Sequence, residues 1–139
     1  MELQIKRLVD VSFPTRAHDT DAGIDLYIPI DTQVRSKSIN HIKLGIAIVL
    51  PPNHVGIIQG KSGLASKFGL FTIGNIIDEG YTGEISVTVV NEGYDYYSFH
   101  KGDKVCQLLV MPVSYPTIVE TNQLPETSRG ESGFGSSGK

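Results

Sequence analysis

Cysteine, long apolar runs and net positive charge are all scarce in this sequence. Cys106 is the single cysteine, which excludes an internal disulfide and fits a reducing compartment. There is no run of 18 apolar residues and no signal peptide. A soluble, cytoplasmic or otherwise intracellular protein with no membrane partner is therefore expected. The net charge of −3 excludes a broad nucleic-acid surface. It does not exclude a small anionic ligand, which local charge and backbone N–H groups can hold. His18, His41, His54 and His100 lack metal-ligand spacing, and no Ser-His-Asp or Cys-His arrangement is suggested. Cys106 reads as a small buried hydrophobe rather than a nucleophile. No long helical pattern and no internal repeat occur.

What is present fits one domain of 139 residues with 40% apolar content, 15 glycines and 7 prolines. Short Ile/Val runs between turn residues predict an all-β fold. Strands are expected at 2–9, 23–28, 40–50, 54–59, 70–73, 84–91, 96–99 and 105–113. The 40–50 run is either bent or split at Gly45. In 84–91 the alternation puts Ile85, Val87 and Val89 on one face and Glu84, Ser86 and Thr88 on the other. Residues 29–37 read as a turn-rich connection, and 64–68 as the only helical stretch. Residues 1–126 form the expected folded domain. Residues 127–139, rich in Gly and Ser, cannot pack a core and should form a mobile arm.

Five stretches carry chemistry. In 74–84, Asp78 and Tyr81 sit in a glycine-bounded hairpin. Its backbone either passes close to a flat ligand or forms an ordinary surface turn. Asp25 lies inside a short apolar strand. It either holds a hydrated Mg²⁺, which needs only one or two protein carboxylates, or occupies an exposed face. Ser62, flanked by Lys61 and Gly63, is placed as a helix N-cap, which is either a plain cap or an anion site. Gln107 is the one polar side chain in an apolar strand, and reads as outward-facing. The tail Gly133-Phe134-Gly135-Ser136-Ser137-Gly138-Lys139 lacks the strand and helix of a nucleotide-binding glycine motif. Its small residues still expose N–H groups that wrap an anion, and Arg129 and Phe134 suit a phosphate and a planar base.

Taken in order, five segments resemble the five motifs of the trimeric dUTP diphosphatases (dUTPases). They are Ala22-Gly23-Ile24-Asp25-Leu26, Gly60-Lys61-Ser62-Gly63-Leu64-Ala65, residues 74–84, Gly102-Asp103-Lys104-Val105-Cys106-Gln107-Leu108, and residues 129–138. The resemblance spans residues 22–138. It implies a jelly-roll-like β-barrel that forms a homotrimer, with the arm of one subunit closing over a site built by its neighbours. The implied reaction converts dUTP and water to dUMP and pyrophosphate with Mg²⁺. That limits uracil in DNA and supplies dUMP for dTMP synthesis.

By the same resemblance, Asp78 activates the attacking water and Tyr81 lies under the deoxyribose. The backbone up to Ile77 reads uracil, and Asp25 holds Mg²⁺ through water. Ser62, Gly63 and Gln107 meet phosphate, with Lys61 where the family usually has Arg. Arg129 and the stretch Ser136-Ser137-Gly138 bind the γ-phosphate, Gly135 contacts substrate, and Phe134 stacks on uracil. The amide of Asn75 is placed for a hydrogen bond to uracil or to a nearby water. Lysine supplies charge without a planar fork, so Lys61 departs from bidentate phosphate binding. Two other readings follow from related chemistry. One is a dCTP deaminase, which shares the barrel but needs a further glutamate base. The other is a nucleotide-holding regulatory protein with little turnover, which only Lys61 favours.

Overall fold

The computed structural model describes residues 1–133. Ten strands and one short helix follow in the order β1 (Gln4–Arg7), β2 (Ile24–Tyr27), β3 (Thr32–Val34), β4 (Ser38–Val49), β5 (His54–Gly60), α1 (Ser62–Phe68), β6 (Leu70–Ile73), β7 (Ile76–Ile77), β8 (Glu84–Asn91), β9 (Tyr97–Phe99) and β10 (Lys104–Pro112). Two four-stranded sheets, β1-β4-β8-β6 and β2-β10-β5-β7, enclose the core, and β3 and β9 pair beside them. All the pairings are antiparallel. The all-β, jelly-roll-like architecture expected from the sequence is the one observed. Among the described residues, no helix is long and apolar enough to cross a membrane.

Alternation builds the core. Ile85, Val87 and Val89 of β8 are buried while their neighbours Glu84, Ser86 and Thr88 are only partly covered. They meet Leu44, Ile46 and Ile48 of β4 and Leu26 and Leu108 of the facing sheet in one apolar cluster. Truncating any of these large side chains to Ala costs about 2–5 kcal/mol through lost burial and the cavity left behind. The long strand β4 is bent rather than split. Gly45 takes φ +67°, and the pairing with β8 slips between Lys43 and Ala47. A Cβ at Gly45 would lie 2.4 Å from the Val9 side chain, so both backbone and space demand glycine there.

The buried Asn91 ties the end of β8 to its surroundings. Its amide donates to the Val34 and Asp95 carbonyls and accepts from the Gly93 N–H. The Val34 contact exists because residues 32–34 form β3, which the sequence reading took as a turn-rich connection. Three residues, of which only Val34 is fully buried, carry too little periodicity to announce a strand. What makes it one is its partner β9, in the register Thr32↔Phe99.

Candidate active site

The hairpin that joins β7 to β8 is positioned by β5. Gly56 pairs with Ile77 and Ile57 with Ile76. The Asn75 carbonyl accepts from the Ile58 N–H at 2.8 Å. Gly74 begins the turn with φ +67°. β7 is the last strand of its sheet, so among the described residues no strand pairs with the N–H and C=O groups of its far edge. After Ile77 the chain turns at once, and the Tyr81 N–H donates to the Asp78 carbonyl at 3.0 Å. This four-residue turn sets the exposed Asp78 carboxylate and the Tyr81 ring at its two ends. The Tyr81 hydroxyl donates to the Glu84 carbonyl at 3.0 Å, which folds the ring back over Gly83. A Cβ at Gly83 would lie 2.6 Å from that hydroxyl, so the ring position depends on glycine. A cleft of about 190 Å³ opens between Gly74, Ile76, Ile77, Asp78, Tyr81 and Ser86. Between Gly74 and Ile76 of the cleft, the Asn75 amide nitrogen reaches the Thr72 carbonyl at 3.4 Å, and among the described residues its buried Oδ1 has no partner.

A second cluster forms around Asp25 on β2. It is only 5% exposed, so the exposed-face alternative is wrong. β10 lies between β2 and β5, and this brings two lysines to one carboxylate. Lys61 pairs with Oδ1, and Lys104 Nζ lies 2.6 Å from Oδ2. Burial works against the charged carboxylate, but the two lysines outweigh it and hold its pKa below the ordinary value. The same contact raises the pKa of Lys104. Gln107, opposite Asp25 in the β10–β2 register, alternates with the buried Cys106 and Leu108, so it faces outward from the core, and it is half-covered there. Its Nε2 donates to the Gly60 carbonyl at 3.1 Å. Its Oε1 fills the space that a Cβ at Gly23 would need, at 2.0 Å. A cavity of about 470 Å³ is lined by Asp21, Gly23, Asp25, Gln59, Lys61 and Gln107.

Ser62 is the first residue of α1 rather than its N-cap. Lys61 takes that place, with extended backbone and no side-chain cap, since an ammonium has no acceptor to offer the first helical N–H groups; it pairs with Asp25 instead. Ser62 and Gly63 are exposed at the mouth of the helix, and nothing lies within 4 Å of a Cβ at Gly63. Among the described residues no three His, Cys, Asp or Glu side chains converge, so there is no protein-only metal cage. One buried carboxylate fits a hydrated Mg²⁺ shared with ligand phosphates, the binding mode this ion favours. Cys106 is fully buried, and burial pushes its thiol pKa up to about 12, which removes it as a nucleophile.

The structure brings Asn75, Ile77, Asp78 and Tyr81 together, and separately Asp25, Lys61 and Gln107. It does not bring the two sets together within one chain. Ile77 sits opposite Gly56 and Lys61 follows Gly60, both on β5. The four residue steps between them span about 13 Å. Arg129 is exposed and its Nε donates to the Ser132 carbonyl at 3.1 Å. Phe134, Gly135, Ser136 and Ser137 lie outside the described residues. Sequence reasoning assigned no role to Lys104, Glu79 or Tyr115. The partners of Lys104 and Tyr115 are far away in sequence, so neither carries a local signal.

Comparison with known proteins agrees with this geometry. The dUTPase family model matches residues 10–138. The chain is 42% identical over 130 residues to the deoxyuridine 5'-triphosphate nucleotidohydrolase of Tropheryma whipplei (strain Twist), covering 91% of this chain and 88% of that protein. It is 39% identical over 141 residues to the Clostridium kluyveri protein of the same name, covering 99% of each. A solved dUTPase variant of Staphylococcus bacteriophage 80alpha, with dUpNHpp, superposes with a TM-score of 0.93 at 26% identity and covers 99% of each chain. A dUTPase variant from phage phi11 of S. aureus, described for its coordination of a structural Mg(II) ion, has a TM-score of 0.83 at 25% identity and covers 88% of this chain and 98% of that one. With the family model matching nearly end to end, the chain belongs to the dUTPase family.

Proposed function

We propose that this chain hydrolyses dUTP to dUMP and pyrophosphate, inside the cell, as a homotrimer whose active sites are shared between subunits. The observation that carries the reading is the hairpin. It sets an exposed carboxylate, an aromatic ring and an unpaired strand edge around one small cleft. Uracil fits the free backbone edge of β7, because fixed donors and acceptors reject a base with an amino group in place of the 4-carbonyl. Tyr81 packs against the deoxyribose and leaves no room for a 2′-hydroxyl. Asp78 accepts a proton from water as the water oxygen attacks the α-phosphorus. The bond from the α-phosphorus to the bridging oxygen breaks, and pyrophosphate leaves.

The phosphate end is built from Lys61, Ser62, Gly63 and Gln107. The separation along β5 supports drawing these from a neighbouring subunit. Asp25 is the group that would hold Mg²⁺ through water, and the ion would supply charge neutralisation at the phosphates. Residues 127–139 form the arm over the site, with Arg129, Ser136 and Ser137 at the γ-phosphate and Phe134 on the base. The rest is positioning, which converts a bimolecular attack into an oriented one.

A substrate panel tests this. Pyrophosphate release is expected from dUTP with Mg²⁺, and little from dTTP, dCTP or UTP. No release from dUTP, or ammonia release from dCTP, would overturn the assignment.

A further inference from the structure

Glu79 stands between Asp78 and Gly80, the second residue of the four-residue hairpin turn. Its Oε2 accepts two hydrogen bonds from outside the hairpin. One comes from the Asn53 N–H at 2.8 Å, the other from the Tyr115 hydroxyl at 2.6 Å. Asn53 is itself a junction. It takes φ +58° in the turn after β4, and its carbonyl accepts from the Val113 N–H at 2.9 Å, just past the end of β10. Three segments distant in sequence are thus tied at one carboxylate: the β4–β5 turn, the hairpin turn and the exit of β10. The tyrosine and the Asn53 N–H lower the Glu79 pKa, so the acceptor stays ionised and both bonds persist at neutral pH.

Among the described residues, the other hydrogen bonds of 78–83 run within the hairpin, from the Tyr81 N–H to Asp78 and from the Tyr81 hydroxyl to Glu84. Asp78, Gly80 and Tyr81 are exposed, and a Cβ at Gly80 would meet nothing within 4 Å. A further cavity of about 410 Å³ is lined by His54, Asp78, Glu79, Gly80, Val113 and Tyr115. Without the tether the turn has room to swing into it.

We infer that Glu79 is a positioning residue, fixed by Tyr115 and Asn53, which holds the turn so that the Asp78 carboxylate stays aimed at the attacking water. This rests on the assignment of Asp78 and Tyr81 made above. The base-reading edge of β7 is held separately by β5, so losing the tether should spoil the aim of the carboxylate more than the grip on the nucleotide.

The test is steady-state hydrolysis of dUTP by the full chain and four variants: Glu79→Ala, Glu79→Gln, Tyr115→Phe, and Glu79→Ala with Tyr115→Phe. A misplacement of about 1 Å costs up to roughly 100-fold in rate, so Glu79→Ala should lower kcat about tenfold or more while KM moves less than about threefold. Glu79→Gln keeps a carbonyl acceptor for both donors and should restore most of the rate. Tyr115→Phe should cost about threefold, and the double variant should be no slower than Glu79→Ala, because a shared contact breaks additivity. A Glu79→Ala enzyme with wild-type kcat, a Gln variant as slow as the Ala variant, or multiplicative losses in the double variant would each overturn the inference. If Glu79→Ala does not fold, Tyr115→Phe decides at its exposed position: lowered kcat with unchanged KM supports the tether, and wild-type kcat rejects it. A wild-type chain that releases no pyrophosphate would sink the reaction assignment itself, whereas an active chain indifferent to Glu79 sinks only this role.

Discussion

The two ends of β5 solve opposite problems. At the Gly56 end, the hairpin presents backbone edges, one ring and one exposed carboxylate, with glycine wherever a side chain would intrude. At the Gly60 end, a nearly buried Asp25 is held between Lys61 and Lys104. Under the proposed function, the first end would recognise by shape and fixed hydrogen-bond direction. The second stores compensated charge, which a polyanion can redirect. Isolated surface ion pairs contribute little, but a buried carboxylate with two ammonium partners binds its surroundings together. Chemistry should therefore be separable from stability at the hairpin and inseparable from it at the lysine cluster.

The sharpest way to break that contrast is Asp78→Asn. Losing a general base should slow turnover about 10²- to 10⁴-fold, with nucleotide binding and melting temperature nearly unchanged. A stable variant that keeps its rate in a pyrophosphate assay would remove Asp78 from the base role. Tyr81→Ala comes next. It should raise kcat/KM for UTP relative to dUTP by about tenfold or more, and an unaltered ratio would place sugar discrimination elsewhere.

At the other end, Asp25→Ala should cost about 1–3 kcal/mol of stability, since two lysines lose their shared partner. A thermal melt indistinguishable from wild type would erase the contrast. The smallest effect is on pH dependence. Asp25 has a depressed pKa in the folded state, so its contribution is fully present above the ordinary carboxylate pKa of 3.8 and is lost as pH falls through the lower folded value. Acid melts below pH 3.8 should show this loss in the wild type and not in Asp25→Asn.

The same contrast separates what the sequence made legible from what it did not. β8 could be read directly, because alternation between Ile85, Val87 and Val89 and their polar neighbours is a local signal. The hairpin was legible because Asp78, Tyr81 and their glycines stand within a few residues. The environment of Asp25 was not, since Lys104 reaches it only through the β10–β2 pairing. Ser62 reads as a cap in the sequence, but the helix starts at Ser62 itself, with Lys61 in the N-cap place. The gap along β5 between the two clusters was equally hidden, because only register places Ile77 at Gly56. Local chemistry survives translation into sequence, whereas partnerships made across sheets do not.

The shortness of β7 has a consequence of its own. Two residues, Ile76 and Ile77, present about 7 Å of unpaired backbone. An open strand edge normally invites another strand, and with it aggregation. This one is too brief to seed a ladder, since chain pairing needs several consecutive bonds to offset the entropy of ordering. A single planar ring, already rigid, pays no such ordering cost. Under the proposed function, the edge is long enough for a heterocycle and too short for a peptide, so length alone would separate the two.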